Sequence, residues 1–474
     1  AEDVLRAIRK HLFYFKKYDT NRNWSIDYAH VTFYKMYAKE RVVTQQMTDM
    51  PHDIALEGLY TSVPSTKDGD IYRMGFGLKG YDIAENLLLQ TAAATNELMA
   101  NTKNGGNDSY IKGNTTYLHI ETVAEKMLNE IFDKSHWVTF IEPSVDLEFF
   151  QDFDELIIIH YSDQYTSSQK YDAITVTNKS MQYKDVIRNF LESKGVSREE
   201  KQITQAIQAF NAYNGEWLLR IIGSKGYEDR EKLSIISGVK YMVALLEHPQ
   251  ILWVPISLEE ILRVAGVFGL GKRDGVFSAK NLGLKGATSD DILLVGLEDK
   301  GDVVHLHIYP VEVKIGKITQ SVVNKAKEQV MRTKEGIIQA LTSEDQGSFV
   351  TQFYQTFILQ LVVASTKKMA QGELWGNLDY TLSDEMIEKL FKLQIQISTE
   401  LYDSIGEAGI LLFESGLLAR STAIEDGVQL YHFHEEDGYN GIVTAYEDVF
   451  DWLHNQDNDF IREKFLKYIY QPTN

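Results

Sequence analysis

At 474 residues the chain is longer than one hydrophobic core usually serves, so two or three domains are expected. Its composition, 44% apolar and 24% charged, is that of a globular protein, and no stretch reaches the roughly 18 uncharged apolar residues of a membrane span, so no membrane partner is expected. The absence of cysteine excludes disulfides, thiolate zinc sites and cysteine nucleophiles and fits a cytoplasmic location, and a net charge of −20 excludes a surface uniformly coated for nucleic acid.

Apolar residues recur at helical spacing over 2–16, 83–101 and 121–132, with a Gly-rich loop, NTKNGGNDS, before the last, which predicts a mostly helical N-terminal region over 1–135. The texture then changes. WVTFIEP and ELIIIHY are short apolar runs bounded by turn residues and YDAITVT alternates, so 136–178 reads as a small sheet within an α/β region spanning 136–200. ESKGVSREEKQ, 192–202, is polar enough for a linker or exposed turn, and helices resume through KLSIISGVKYMVALLEH.

From Gln250 the order becomes informative. ILWVPI reads as a strand, and Ser257 opens a predicted helix, SLEEILRVAG, in which Ser257 and Glu260 have the spacing of a capping box. A turn-rich stretch leads to the strand DILLVGLE and then to HLHIYPVEVKIG. A helix follows from about Thr319 to Leu341, with Val322, Val323, Ala326, Val330, Thr333, Ile337 and Leu341 on one broad face. Two further helical stretches, about 348–371 and 384–403, form an insertion of about 343–405 before another apolar strand, AGILLFE.

Charge is unevenly spread along this part. Lys314, Lys317, Lys325, Lys327, Arg332 and Lys334 are opposed in their segment by Glu328 alone, and Lys272, Arg273, Lys280 and Lys285 by Asp274 alone. These two basic islands bracket Glu312 and Lys314, which lie inside an apolar strand. Side chains alternate along a strand, so the two residues share one face. Asp290 and Asp291 open the preceding strand. An Asp on one strand and a Glu on its neighbour can converge on a hard divalent cation, and a Lys beside them can orient water and offset charge at a phosphate.

An acidic residue, an apolar strand, a second apolar strand carrying E-x-K and a helix together resemble the PD-(D/E)xK nuclease superfamily. The resemblance implies an α/β nuclease-like mixed sheet flanked by helices, here within 201–474. It implies Asp291 and Glu312 as ligands of Mg²⁺ or Mn²⁺, with Asp290 as the substitute for Asp291, and Lys314 as the catalytic lysine. Gln329 on the following helix corresponds to an accessory polar residue of several branches, and Glu260 to a further carboxylate lent by the preceding helix. Lys317, Lys325, Lys327, Arg332, Lys272 and Arg273 are the expected contacts to double-stranded DNA.

Three other patterns are weaker signals of a site. GVFGLGKR, 266–273, has phosphate-loop spacing, but Arg273 stands where Ser or Thr belongs; Gly75, Gly77 and Gly80 satisfy G-x-G-x-x-G without a following acidic residue; His432 and His434 share a strand face.

Longer strings, including LSIISGVKYMVALLEHP, ILWVPISLEEILRV, SDDILLVGLE and HIYPVEVKIG, resemble the H subunits of bacterial DNA phosphorothioation-dependent restriction systems. That resemblance implies an endonuclease or nickase in antiphage defence, other restriction subunits as partners, and ATP acting through a motor domain outside this segment. The alternative is a catalytically silent nuclease fold that serves as a DNA-binding and assembly scaffold.

Overall fold

The computed structural model describes residues 28–35, 40–44, 60–68, 71–78, 87–101, 115–121, 125–142, 147–150, 156–160, 174–196, 199–215, 217–218, 227–258, 261, 292–342, 349–370, 375, 378–454, 460 and 464–471. Over these residues the fold is mixed α/β with three sheets.

The N-terminal region departs from the helical expectation. Strands β1 (Ala29–Lys35), β2 (Glu40–Thr44), β3 (Tyr60–Asp68), β4 (Ile71–Leu78) and β5 (Thr115–Glu121) are interrupted by one helix, α1 (Leu87–Asn101), before α2 (Glu125–Lys134). β2, β5, β4 and β3 form an antiparallel sheet in that order. Gly75 and Gly77 of the G-x-G-x-x-G pattern lie within β4 opposite Val63 and Thr61, so they are ladder residues and form no phosphate loop. The predicted helix 2–16 lies outside the described residues.

The boundary expected at 135 is also crossed. β6 (Ser135–Glu142) pairs parallel with β1 and antiparallel with β8 (Ile174–Thr177), which in turn pairs with β7 (Ile157–His160). The polar 192–202 stretch joins α3 (Met181–Ser193) to α4 (Glu200–Asn214). Gly195 takes φ +76 after α3, and Glu199 with Gln202 forms a capping box that starts α4. The boundary at 200 dissolves too, because Ile157, Ile159, Tyr183, Ile187 and Leu191 share one core with residues of α5 (Tyr227–Leu245) and the third sheet.

That third sheet runs β14-β15-β13-β11-β10-β9. β9 (Ile251–Ser257), β10 (Ile292–Asp299) and β11 (Val304–Gly316) form an antiparallel meander, after which β13 (Ala408–Glu414) and β15 (Val428–His434) run parallel to β11 and β14 (Ser421–Glu425) closes the edge. The central strands are buried on both faces, which is why they read as continuous apolar runs. One face, with Trp253, Ile292, Val311, Val313 and Phe413, packs under α5, α10 (Glu435–Val443) and α11 (Tyr446–His454). The other face packs under α6 (Gln320–Leu341) and α7 (Phe349–Ala370) through two clusters, one with Ile256, Leu293 and Ile308, the other with Ile410, Leu412 and Leu430.

The approach of α5 is close. A Cβ on Gly238 would stand 2.6 Å from Cγ2 of Val313, so glycine lets the helix lie directly on β11. Lys240, two residues further along the same helix, is buried and donates hydrogen bonds to the carbonyls of Gly441, Ile442 and Thr444 at 3.1, 3.1 and 2.7 Å, satisfying the end of α10.

The insertion is less helical than expected. α7 matches its predicted span, but 384–403 breaks into α8 (Asp384–Phe391), β12 (Ile395–Ile397) and α9 (Tyr402–Ile405). Leu393 at φ 57 turns the chain, and β12 then pairs with Val304–Leu306 of β11. Ser257, expected as a helix cap, is the buried last residue of β9. The chain ends in α12 (Leu466–Ile469) followed by Tyr470.

Candidate functional site

β11, β13 and β15 are parallel, so their carboxyl ends gather at one end of the sheet, where open α/β sheets bind ligands. α6 begins four residues after β11, which brings the positive end of its dipole to the same place. Glu312 and Lys314 lie there. Val311 and Val313 go into the α5 core, so alternation turns Glu312 and Lys314 to the α6 face. Glu312 is 1% exposed and Lys314 22%, with Lys314 Nζ 2.5 Å from Glu312 Oε1. The pair is thus an ion pair at the mouth of the sheet, with the carboxylate inside and the ammonium toward solvent.

Asp290, Asp291, Glu260, Lys272 and Arg273 lie outside the described residues, as does the 266–273 loop. What is described is the register beside them: Ile292, the residue after Asp291, pairs with Val311, the residue before Glu312.

On α6 the buried stripe is Val323, Ala326, Val330, Thr333, Lys334, Ile337, Ala340 and Leu341. Gln329 sits at its half-buried edge and Val322 beside it. The basic island divides. Lys327 bonds Glu425 at 2.7 Å and Asp426 at 3.1 Å, and Lys334 is buried in an ion pair with Glu407, its Nζ 4.0 Å from the Tyr402 ring centroid. Lys317, Lys325 and Arg332 are exposed. Lys327, expected as a DNA contact, is thus paired with carboxylates of the β14–β15 turn.

His432 and His434 have separate roles. His434 is the N-cap residue of α10, its backbone N–H donating to the Asp437 carboxylate at 3.0 Å. His432 is hydrogen-bonded through Nδ1 to Glu414.

A polar cluster that the sequence reading did not single out lies at the other end of β11. Glu298 is buried, with His307 Nε2 at 3.0 Å, Lys300 Nζ at 2.7 Å and the Tyr470 hydroxyl at 3.3 Å; Tyr470 also donates to Glu400 at 2.9 Å. Burial pushes the Glu298 carboxyl up, but the hydrogen bonds from Lys300 and His307 outweigh it and the group is held below the usual carboxylate range. Burial likewise holds His307 below the usual histidine range against the pull of Glu298. Glu298, His305 and Glu400 could bring ligand atoms within 4.8 Å of one another, but Lys300 already supplies a cation to Glu298. The alternating HLH of β11 was the signal for it. A cavity of about 840 Å³ adjoins this cluster between α5, β9 and β10, lined by Glu247, His248, Trp253, Glu298, Lys300 and Tyr380 among others. Among its acids, Glu247 is paired with Lys467, Glu298 with Lys300 and Asp299 with Lys389.

No family model, no curated protein and no solved structure matches this chain. Among the described residues no helix is long and apolar enough to cross a membrane.

Proposed function

We propose that the chain is a metal-dependent DNA phosphodiesterase of the PD-(D/E)xK type, acting as an endonuclease or nickase in a modification-linked defence system. The observation that carries this reading is the pairing of Ile292 with Val311, which sets the residue after Asp291 against the residue before Glu312 at the carboxyl end of the sheet. The element order supports it: β10, then β11 with the E-x-K and α6 follow the order that the resemblance implies, and β13 lies parallel to β11 as the late strand.

The donor chemistry fits Mg²⁺ or Mn²⁺, because the Glu312 carboxylate offers hard oxygen to such an ion. When bound, the ion would supply charge neutralisation at the phosphoryl oxygens and a water acidic enough to attack near neutral pH. Glu312 would hold it together with Asp291. Lys314, bonded to Glu312 and open toward solvent, would orient the attacking water and draw charge from the phosphate. Exposed Lys317, Lys325 and Arg332, with the first turn of α6, give DNA a positive approach in an otherwise acidic chain.

The test is cleavage of supercoiled plasmid by the whole chain with Mg²⁺ or Mn²⁺, and its loss in Lys314→Ala and Glu312→Ala. Unchanged cleavage in both variants would overturn the site. If the wild type binds DNA without cutting it, and Lys317→Glu with Lys325→Glu abolishes that binding while Lys314→Ala leaves it intact, the scaffold reading stands instead.

A further inference from the structure

We propose that His432, held by Glu414, is a DNA-phosphate contact next to the cleavage site, gripping a phosphate that flanks the scissile one. The inference rests on the nuclease reading of Glu312 and Lys314 and extends that site two strands along the sheet.

Register carries the placement. Lys314 pairs with Leu412 and Leu412 with His432, so the three form one cross-strand row. Residues in one row point to the same face, and Ile410, Leu412 and Leu430 identify that face as the one under α6, where Glu312 and Lys314 also point. The three strands are parallel and the row lies near their carboxyl ends, so His432 and Lys314 open toward the same solvent-facing edge. Two strand spacings separate them by about 10 Å. That is too far for both to touch one phosphate and suited to successive contacts along a backbone.

Chemistry supplies the role. Glu414 accepts the hydrogen bond from Nδ1, which fixes the ring and leaves Nε2 as the working atom. Nε2 makes no hydrogen bond among the described residues, and the side chain is 22% exposed. With Nδ1 engaged by Glu414, an Nε2–H is the ring donor left for a phosphate oxygen.

The experiment measures binding of a short DNA duplex to the whole chain with Ca²⁺ in place of Mg²⁺, over a series of salt concentrations, and then single-turnover cleavage with Mg²⁺. His432→Ala is expected to weaken binding about tenfold and to make the log Kd against log salt slope shallower by about one phosphate contact. The single-turnover rate at saturating DNA stays within about twofold, and His432→Arg, which places N–H donors beside Glu414, restores binding. His432→Gln gives the same loss and stands in should the alanine variant fail to fold. Unchanged Kd and slope overturn the proposal, as does slower chemistry at saturating DNA with unchanged Kd. A wild type that binds DNA but does not cut it removes the hydrolase reading while the binding series still decides His432; a wild type that binds no DNA removes both.

Discussion

Replacing Gly238 with alanine tests how firmly the site is held from behind. The new Cβ would stand 2.6 Å from Val313 Cγ2, 3.4 Å from Cγ1 and 3.5 Å from Ile292 Cδ1. Ordinary carbon contacts lie at about 3.5–4.0 Å, so α5 and β11 must separate by roughly 1 Å. Overpacking of this kind costs about 1–3 kcal/mol, and the better helix propensity of alanine returns about 1 kcal/mol. A net loss of about 1 kcal/mol is expected by urea unfolding. Val313→Ala alone removes two buried methyl groups and costs about 2 kcal/mol through lost transfer energy and a cavity. In the double variant the added methyl enters the space the valine vacates, so the two losses fall short of their sum by about 1–3 kcal/mol. Val313 lies between Glu312 and Lys314, so Gly238→Ala also moves that ion pair, the site of the proposed nuclease. A displacement near 1 Å is expected to slow plasmid cleavage by up to about a hundredfold, with recovery in the double variant. Additive stabilities, within about 0.5 kcal/mol, would refute the claim that glycine is there to let the helix touch the strand.

Two further outcomes follow from the buried polar groups. Lys240→Met keeps the aliphatic stem but leaves three carbonyls at the end of α10 without their donor, and a loss of about 2–4 kcal/mol is expected by denaturant unfolding. Burial pushes the Lys240 ammonium down to about 7, so between there and the ordinary lysine range the unfolded chain binds more protons. Wild-type stability should therefore rise with pH across that window, and the methionine variant should lose the rise. At the other end of β11, Glu298 and His307 are both held below their ordinary values, so each contributes stability that is lost as pH falls through the histidine and then the carboxylate range. A melting series from pH 7 to pH 4 should fall steeply for the wild type. Glu298→Gln should start lower and fall less, and parallel curves would contradict the assignment.

The parts of the fold that were legible in the sequence are those whose signal is local. β10, β11, α6 and β13 carry continuous apolar runs or a 3.6-residue stripe, and the E-x-K alternation told which residues share a face. The N-terminal strands escaped because Pro64, Gly75 and Gly77 break any alternation, and because β1 is stabilised by a parallel partner about a hundred residues later. β12 was hidden inside an apparent helix: its reason for being extended is the edge of β11, some ninety residues earlier. Lys334 reads as a solvated charge until Glu407 and Tyr402 are brought beside it. His432 was visible as a residue but not as part of a row, since the row exists only when three strands are in register.

β12 has one more consequence. One edge of β11 is divided between two partners, β12 along Val304–Leu306 and β13 along Val311–Gly316. The insertion that carries β12 also contributes Leu359, Val362 and Leu390 to the core beneath Ile308 and Leu293. It cannot be trimmed as a decorative loop. A shortened version lacking 349–397 would bare both a strand edge and an apolar sheet face, and the product to expect is aggregate rather than a smaller folded domain. The smallest working unit of this end of the chain therefore includes the segment that looks most dispensable.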